Sequence, residues 1–170
     1  MATRMVFIDL ETTGLVEEGG RITEIAAYCP DDNSQFCTLV NPGVPIPDRI
    51  VKLCGITNDM VKDQPQFKDV FPNFINFCRG SGDREVTLIA HNYDGFDGRI
   101  LDAECSRQSL SMPKWKTIDS LKIAKQNLPK DKSHSLESLR KKYGVDVKGS
   151  HRALKDTLDL YQIFKKLIVP

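Results

Sequence analysis

Asp9 and Glu11 stand two residues apart at the end of an apolar run, Met5-Val6-Phe7-Ile8. Side chains on a strand alternate between faces, so these two carboxylates point the same way. The run itself does not alternate, which suits a central strand covered on both sides. Thr12, Thr13 and Gly14 then break the strand. Both acids therefore sit where a strand leaves the core, a common place for a ligand in α/β proteins. Carboxylates buried without a partner are costly, and hard oxygen donors suit Mg²⁺ or Mn²⁺ far better than zinc. Taken alone, the pair reads more simply as an ordinary Asp and Glu at a strand-to-turn boundary.

Two downstream segments carry further groups. From Ala153 to Ile168, Leu154, Leu158, Tyr161, Phe164 and Ile168 follow steps of three and four, which predicts a helix. Ser150 is the expected N-cap. Asp156 falls in the second turn and is held rigidly, as a metal ligand should be. His151 lies at or before the first helical residue and five positions from Asp156, well apart around a regular helix. A mobile imidazole suits proton transfer; a surface histidine near a helix start is the alternative. The middle segment is His91-Asn92-Tyr93-Asp94-Gly95-Phe96-Asp97. It follows a short buried strand at 86–90 and opens a helix at 96–107 with Ile100, Leu101 and Cys105 inward. Asp97 falls in the first turn, where the helix dipole favours an acid whether or not it has another role. Asp94, beside Gly95, reads as turn chemistry.

In chain order, Asp-x-Glu, then His-Asn…Phe-Asp, then His-x4-Asp resemble the DEDDh (DnaQ-like) 3′→5′ exonucleases. Asp9-Leu-Glu-Thr-Thr-Gly-Leu15 is intact, and Gly55-Ile56-Thr57 is similar to a further family segment. Arg152 stands four residues before the last acid, where the sister DEDDy group has Tyr. Details such as Leu101-Asp-Ala-Glu, Ser133-His-Ser-Leu136 and Asp156-Thr-Leu resemble the three-prime repair (TREX-like) branch. The resemblance implies a ribonuclease H-like α/β fold, a mixed five-stranded sheet with three antiparallel strands and then two parallel ones, flanked by helices. It implies Asp9, Glu11, Asp97 and Asp156 as ligands of two Mg²⁺ or Mn²⁺ ions, with His151 as general base, a role suited to imidazole's near-neutral pKa. Thr12, Leu15 and Asn92 match positions lining the terminal nucleotide; a turn Thr, a core Leu and a loop-capping Asn are the plainer readings. The implied partners are single-stranded DNA or other nucleic-acid 3′ ends, with RNA open and a homodimer through an edge strand allowed. A silent end-binding module and a partner-dependent proofreading subunit are the competing classes.

Length and charge agree with this. A chain of 170 residues can build one domain with a substantial core, so 1–170 is expected to be a single exonuclease domain. The net charge is +1, but residues 1–106 carry 9 basic and 17 acidic groups, while 107–170 carry 15 and 6. Such asymmetry points to nucleic-acid contact. Lys130, Lys132, Arg140, Lys141, Lys142, Lys148, Arg152 and Lys155 surround the His151 segment, and Lys148 and Arg152 are the chosen phosphate contacts. Five scattered cysteines without Cys-x-x-Cys argue against a zinc site and suit a reducing compartment. With no signal peptide or long apolar run, the chain is expected to be soluble and intracellular, with no membrane partner.

Overall fold

Val6, Phe7 and Ile8 are fully buried in the computed structural model, which describes residues 3–146 and 151–169. They form the middle of β1 (Arg4–Thr12). β2 (Ile22–Cys29) and β3 (Ser34–Leu39) follow as an antiparallel meander. β4 (Val86–Ala90) pairs parallel with β1, and β5 (Lys116–Asp119) pairs parallel with β4. The sheet order β3-β2-β1-β4-β5 is the expected three antiparallel strands followed by two parallel ones.

The helices are α1 (Asp48–Cys54), α2 (Asn58–Val61), α3 (Phe67–Arg79), α4 (Asp97–Arg107), α5 (Ser120–Asn127), α6 (Leu136–Tyr143) and α7 (Ala153–Leu167). On one face of the sheet, Val6, Ile8 and Leu10 pack with Phe67, Val70, Phe71 and Phe74 of α3 and Ile100 and Leu101 of α4. On the other face, Phe7 packs with Leu160 and Phe164 of α7, its ring edge-on to Phe164 with centroids 5.4 Å apart. Alternation then settles the direction of the acids. Asp9 and Glu11 continue the Phe7 row, so the contact that buries Phe7 against α7 also delivers both carboxylates toward the first turns of that helix.

Three local features depart from the sequence reading. β1 runs through Thr12, a residue expected to break it, with an irregularity in its pairing with β2 between Glu11 and Thr12; an extra residue of this kind re-aims side chains at a strand end. The short helices α1 and α2 and a single 3-10 turn at Val16–Glu18 lack the length to show a periodic stripe. The start of α7 differs too. Arg152 occupies its cap position with no side-chain cap, and the Ala153 N–H is satisfied by Glu24 of β2 at 3.0 Å. The expected cap, Ser150, lies outside the described residues, as does Lys148. Among the described residues, no helix is long and apolar enough to cross a membrane.

Candidate active site

Asp9, Glu11 and Asp156 each offer an oxygen within 4.8 Å of the others. Small side-chain rotations bring such a group around one hard cation, whose ligand distances are about 2.1 Å. Asp97, the first residue of α4, is 2% exposed, and its Oδ1 is buried without a hydrogen-bond partner. Buried polar atoms are almost always satisfied. Only Thr23 Oγ1 shares this state among the described residues.

Electrostatics place Asp9 at the centre. Burial at the base of the cleft, then the Asp97, Asp156 and Glu11 carboxylates, push its carboxyl well above the usual range, and Arg140 only partly offsets them. Burial also pushes Asp97 up, with Asp119 and Glu11 adding to the effect. The helix-start dipole, worth about 0.3–1 kcal/mol, does not outweigh that burial. Glu11 is raised to about 7 by burial and by Asp156 and Glu24, against Arg152. A set of acids that crowd one another in this way lacks positive charge. All-carboxylate donors and an orphaned buried oxygen beside them fit a hard divalent cation.

The sign of the pH effect follows. Asp9, Glu11 and Asp97 have folded-state pKa values above their unfolded ones, so the folded chain binds more protons between those limits. The metal-free protein should therefore gain stability as pH falls from about 8 toward about 5. Melting in chelator at both pH values checks this, and Mg²⁺ should raise Tm more at the higher pH. A metal-free Tm that falls or stays flat on acidification over that span would sink the account.

His151 ends the stretch leading into α7. Its φ is +64°, a left-handed conformation rare outside glycine. That geometry turns its N–H back onto Asp156, 3.2 and 3.3 Å from the two carboxylate oxygens. The residue is exposed, and its imidazole makes no hydrogen bond among the described residues. The Asp156 carboxylate is thus held from the backbone of residue 151, not from its ring.

Asp119 organises the loop before Asp97. Its carboxylate caps α5 through Leu121 N–H and also accepts the N–H groups of Asn92 and Asp94. Asn92 is left-handed at φ +73°, and a Cβ on Gly95 would stand 2.4 Å from the Asn92 Oδ1, so a side chain there would have to displace the Asn92 amide. Asp94 is exposed and paired with Lys122. Asp97→Asn should therefore cost far more activity than Asp94→Asn. Side-by-side turnover of the two variants decides, and the reverse ranking would mean that the wrong acid had been chosen.

A cavity of about 300 Å³ adjoins the acids, lined by Leu10, Glu11, Thr12, Leu15, Leu53 and Phe96 among others. Leu15 and Leu53 are more than half exposed at its rim. Thr12 Oγ1 donates to Gly14 O at 2.8 Å and so sets the turn that presents Leu15. A wider hollow of about 820 Å³ lies farther along α7 among Tyr28, Tyr143, Tyr161 and Lys165. It has no acidic lining, so the chemistry belongs to the smaller cavity.

Five of the basic residues around the His151 segment are engaged within the protein. Arg140 is 2% exposed, too deep to meet a phosphate, and Arg152 is bound bidentately to Glu24 at 2.6 and 3.2 Å. Lys141 pairs with Glu137, Lys142 with Asp131 and Lys155 with Asp159. Sequence reasoning missed Glu24. It lies directly across from Glu11 in the β1–β2 pair, an unfavourable like-charge pairing that Arg152 relieves. Its one signal is a lone charge inside the apolar run Ile22-Thr-Glu-Ile-Ala-Ala-Tyr-Cys29.

The family model RNase_T, described as an exonuclease, matches residues 6–164. The chain is 39% identical over 178 residues to "Exonuclease DPD1, chloroplastic/mitochondrial" of Arabidopsis thaliana, covering 97% of this chain and 56% of that protein. It therefore spans just over half the length of that relative. It is 32% identical to DNA polymerase III subunit epsilon of Aquifex aeolicus, covering 96% of this chain and 79% of the relative. A solved structure, exonuclease X in complex with 5′ overhanging duplex DNA, superposes with a TM-score of 0.74 at 26% identity, covering 96% and 90% of the two chains.

Proposed function

Since the chain belongs to the DEDDh exonuclease family, with its ribonuclease H-like fold, we propose that it is a metal-dependent 3′→5′ exonuclease that removes nucleoside 5′-monophosphates from DNA 3′ ends. The observation that carries this is the four-acid cluster: three carboxylates within 4.8 Å and a fourth with an orphaned buried oxygen beside them. Residues 1–170 are read as one exonuclease domain. Two divalent cations, Mg²⁺ or Mn²⁺, would supply a more acidic water and charge stabilisation at the entering and leaving oxygens. The chain's own groups do the rest. Asp9, Glu11, Asp97 and Asp156 would hold the cations. His151 takes the proton of the attacking water. The Leu15–Leu53–Phe96 cavity takes the terminal base, with Thr12 setting the wall and Asn92 closing the opposite loop.

The preference for DNA is supported by the DNA-bound neighbour and by the TREX-like sequence details. The similarity to a polymerase subunit favours one second reading, a subunit that needs a partner to act. One experiment separates these: 5′-labelled single-stranded DNA and RNA of the same sequence, with Mg²⁺, with chelator, and with Asp9→Asn as control. A metal-dependent ladder shortening from the 3′ end, faster on DNA and absent in the variant, is the expected result. A faster RNA ladder would move the substrate to RNA. Uncut substrate in every lane would favour the partner-dependent reading.

A further inference from the structure

Arg140 is a charge in an apolar stripe. Leu136, Leu139 and Tyr143 of α6 pack in the cluster that includes Ile163 and Leu167 of α7, and Arg140 falls among them at helical spacing. It is 2% exposed. A guanidinium at that depth needs strong acceptors. Both come from α7: Nε donates to Asp159 Oδ2 at 2.8 Å, and Nη2 donates to Asp156 Oδ1 at 2.6 Å. Lys155 also pairs with Asp159, so that carboxylate has two cations. Asp156 instead has Arg140 on one side and the His151 backbone N–H on the other.

These contacts act on one proposed metal ligand. Without a cation, Asp9 and Glu11 repel Asp156, and its side chain has rotamers that lead away from them. Arg140 removes that freedom with a planar fork that spans two carboxylates one helical turn apart, which a lysine ammonium cannot span. We infer that Arg140 is a positioning residue: it holds the Asp156 carboxylate in place for the metal and, through the bond between Asp156 and the His151 backbone, fixes where the imidazole starts. The inference rests on the metal-dependent reading above and adds a residue to it.

Charge alone predicts the opposite outcome. A cation touching a ligand repels a divalent ion, so its removal should tighten metal binding. Positioning predicts weaker binding. Two variants separate these: Arg140→Lys, which keeps the charge without the fork, and Arg140→Met, which removes both while Lys155 still pairs with Asp159. Circular dichroism and Tm in chelator establish that each is folded. Mn²⁺ titration followed by electron paramagnetic resonance then gives Kd directly, without turnover. The expected result is a Kd raised about 10–100-fold in both variants, the usual scale for a lost ligand-orienting contact. KM for a short DNA strand should stay near the wild-type value while kcat falls. An unchanged or tighter Mn²⁺ Kd in a folded variant would overturn the positioning role. Wild-type protein that binds no Mn²⁺, or binding that survives Asp9→Asn, would overturn the metal reading itself.

Discussion

Asp9→Asn should abolish turnover and raise the Tm of the metal-free protein. The first effect follows from its place: Asp9 is the one acid raised by all three others, Asp97, Asp156 and Glu11. As the proposed shared ligand, Asp9 would contribute to the charge stabilisation at both reacting oxygens, several kcal/mol in such sites. Its loss should cost at least about 1,000-fold in kcat. The second effect runs against the usual destabilisation by a buried substitution. Asn has nearly the same shape, cannot ionise, and so escapes the burial cost and the crowding by Asp97, Asp156 and Glu11 that push the Asp9 carboxyl up. At about pH 8 in chelator the variant should melt higher, by about 2–4 °C for each kcal/mol of repulsion relieved in a chain of this size. Added Mg²⁺ should then raise the wild-type Tm and leave the variant's nearly unmoved. Turnover measured alongside the two melts provides the check. An active, well-folded variant would remove the two-metal account, and a lowered metal-free Tm would show that Asp9 contributes favourable contacts that outweigh the crowding.

What was readable in the sequence was whatever period and type encode. The Met5–Ile8 run of β1 is unbroken apolar, so its central place was legible, and a period of two put Asp9 and Glu11 on one face. The i, i+3, i+4 stripe of α7 located Asp156 on a helix that packs against that same face. What failed was long-range. The Ala153 N–H at the start of α7 is met by Glu24, 129 residues away, and no local rule could select it. Arg152 and Arg140 look like any basic residues beside a nucleic-acid site, yet each is paired with a buried carboxylate that only the fold brings near. Their signal was present but faint: Arg140 interrupts the stripe Leu136, Leu139, Tyr143, and Glu24 interrupts an apolar strand. A single charge in a stripe that should be apolar is where sequence periodicity points to a buried pair. The nucleotide-sized cavity was half legible. Leu15 follows the Asp-x-Glu motif directly, whereas Leu53 and Phe96 arrive from α1 and the end of the Asn92 loop, elements with too little period to locate.

His151→Ala should leave metal and 3′-end binding close to wild type and lower kcat by roughly 100-fold or more, the scale of a lost general base. The geometry favours a clean separation of these quantities. The bond to Asp156 comes from the backbone N–H of residue 151, which alanine keeps, so the ligand should stay in place. The imidazole itself is exposed and makes no hydrogen bond among the described residues, so its removal strips no packing from the core. The backbone is the complication. At φ +64° alanine has no polar side chain to favour the left-handed state, as asparagine has. His151→Asn is therefore the companion variant: it suits that conformation yet cannot act as a base near neutral pH. If both lose kcat equally at unchanged Mn²⁺ affinity, proton transfer is the lost function. If asparagine restores the rate, the left-handed turn that presents Asp156 is what matters, and the imidazole is a surface group. A rate near wild type in both would remove His151 from the mechanism and leave the attacking water to another base.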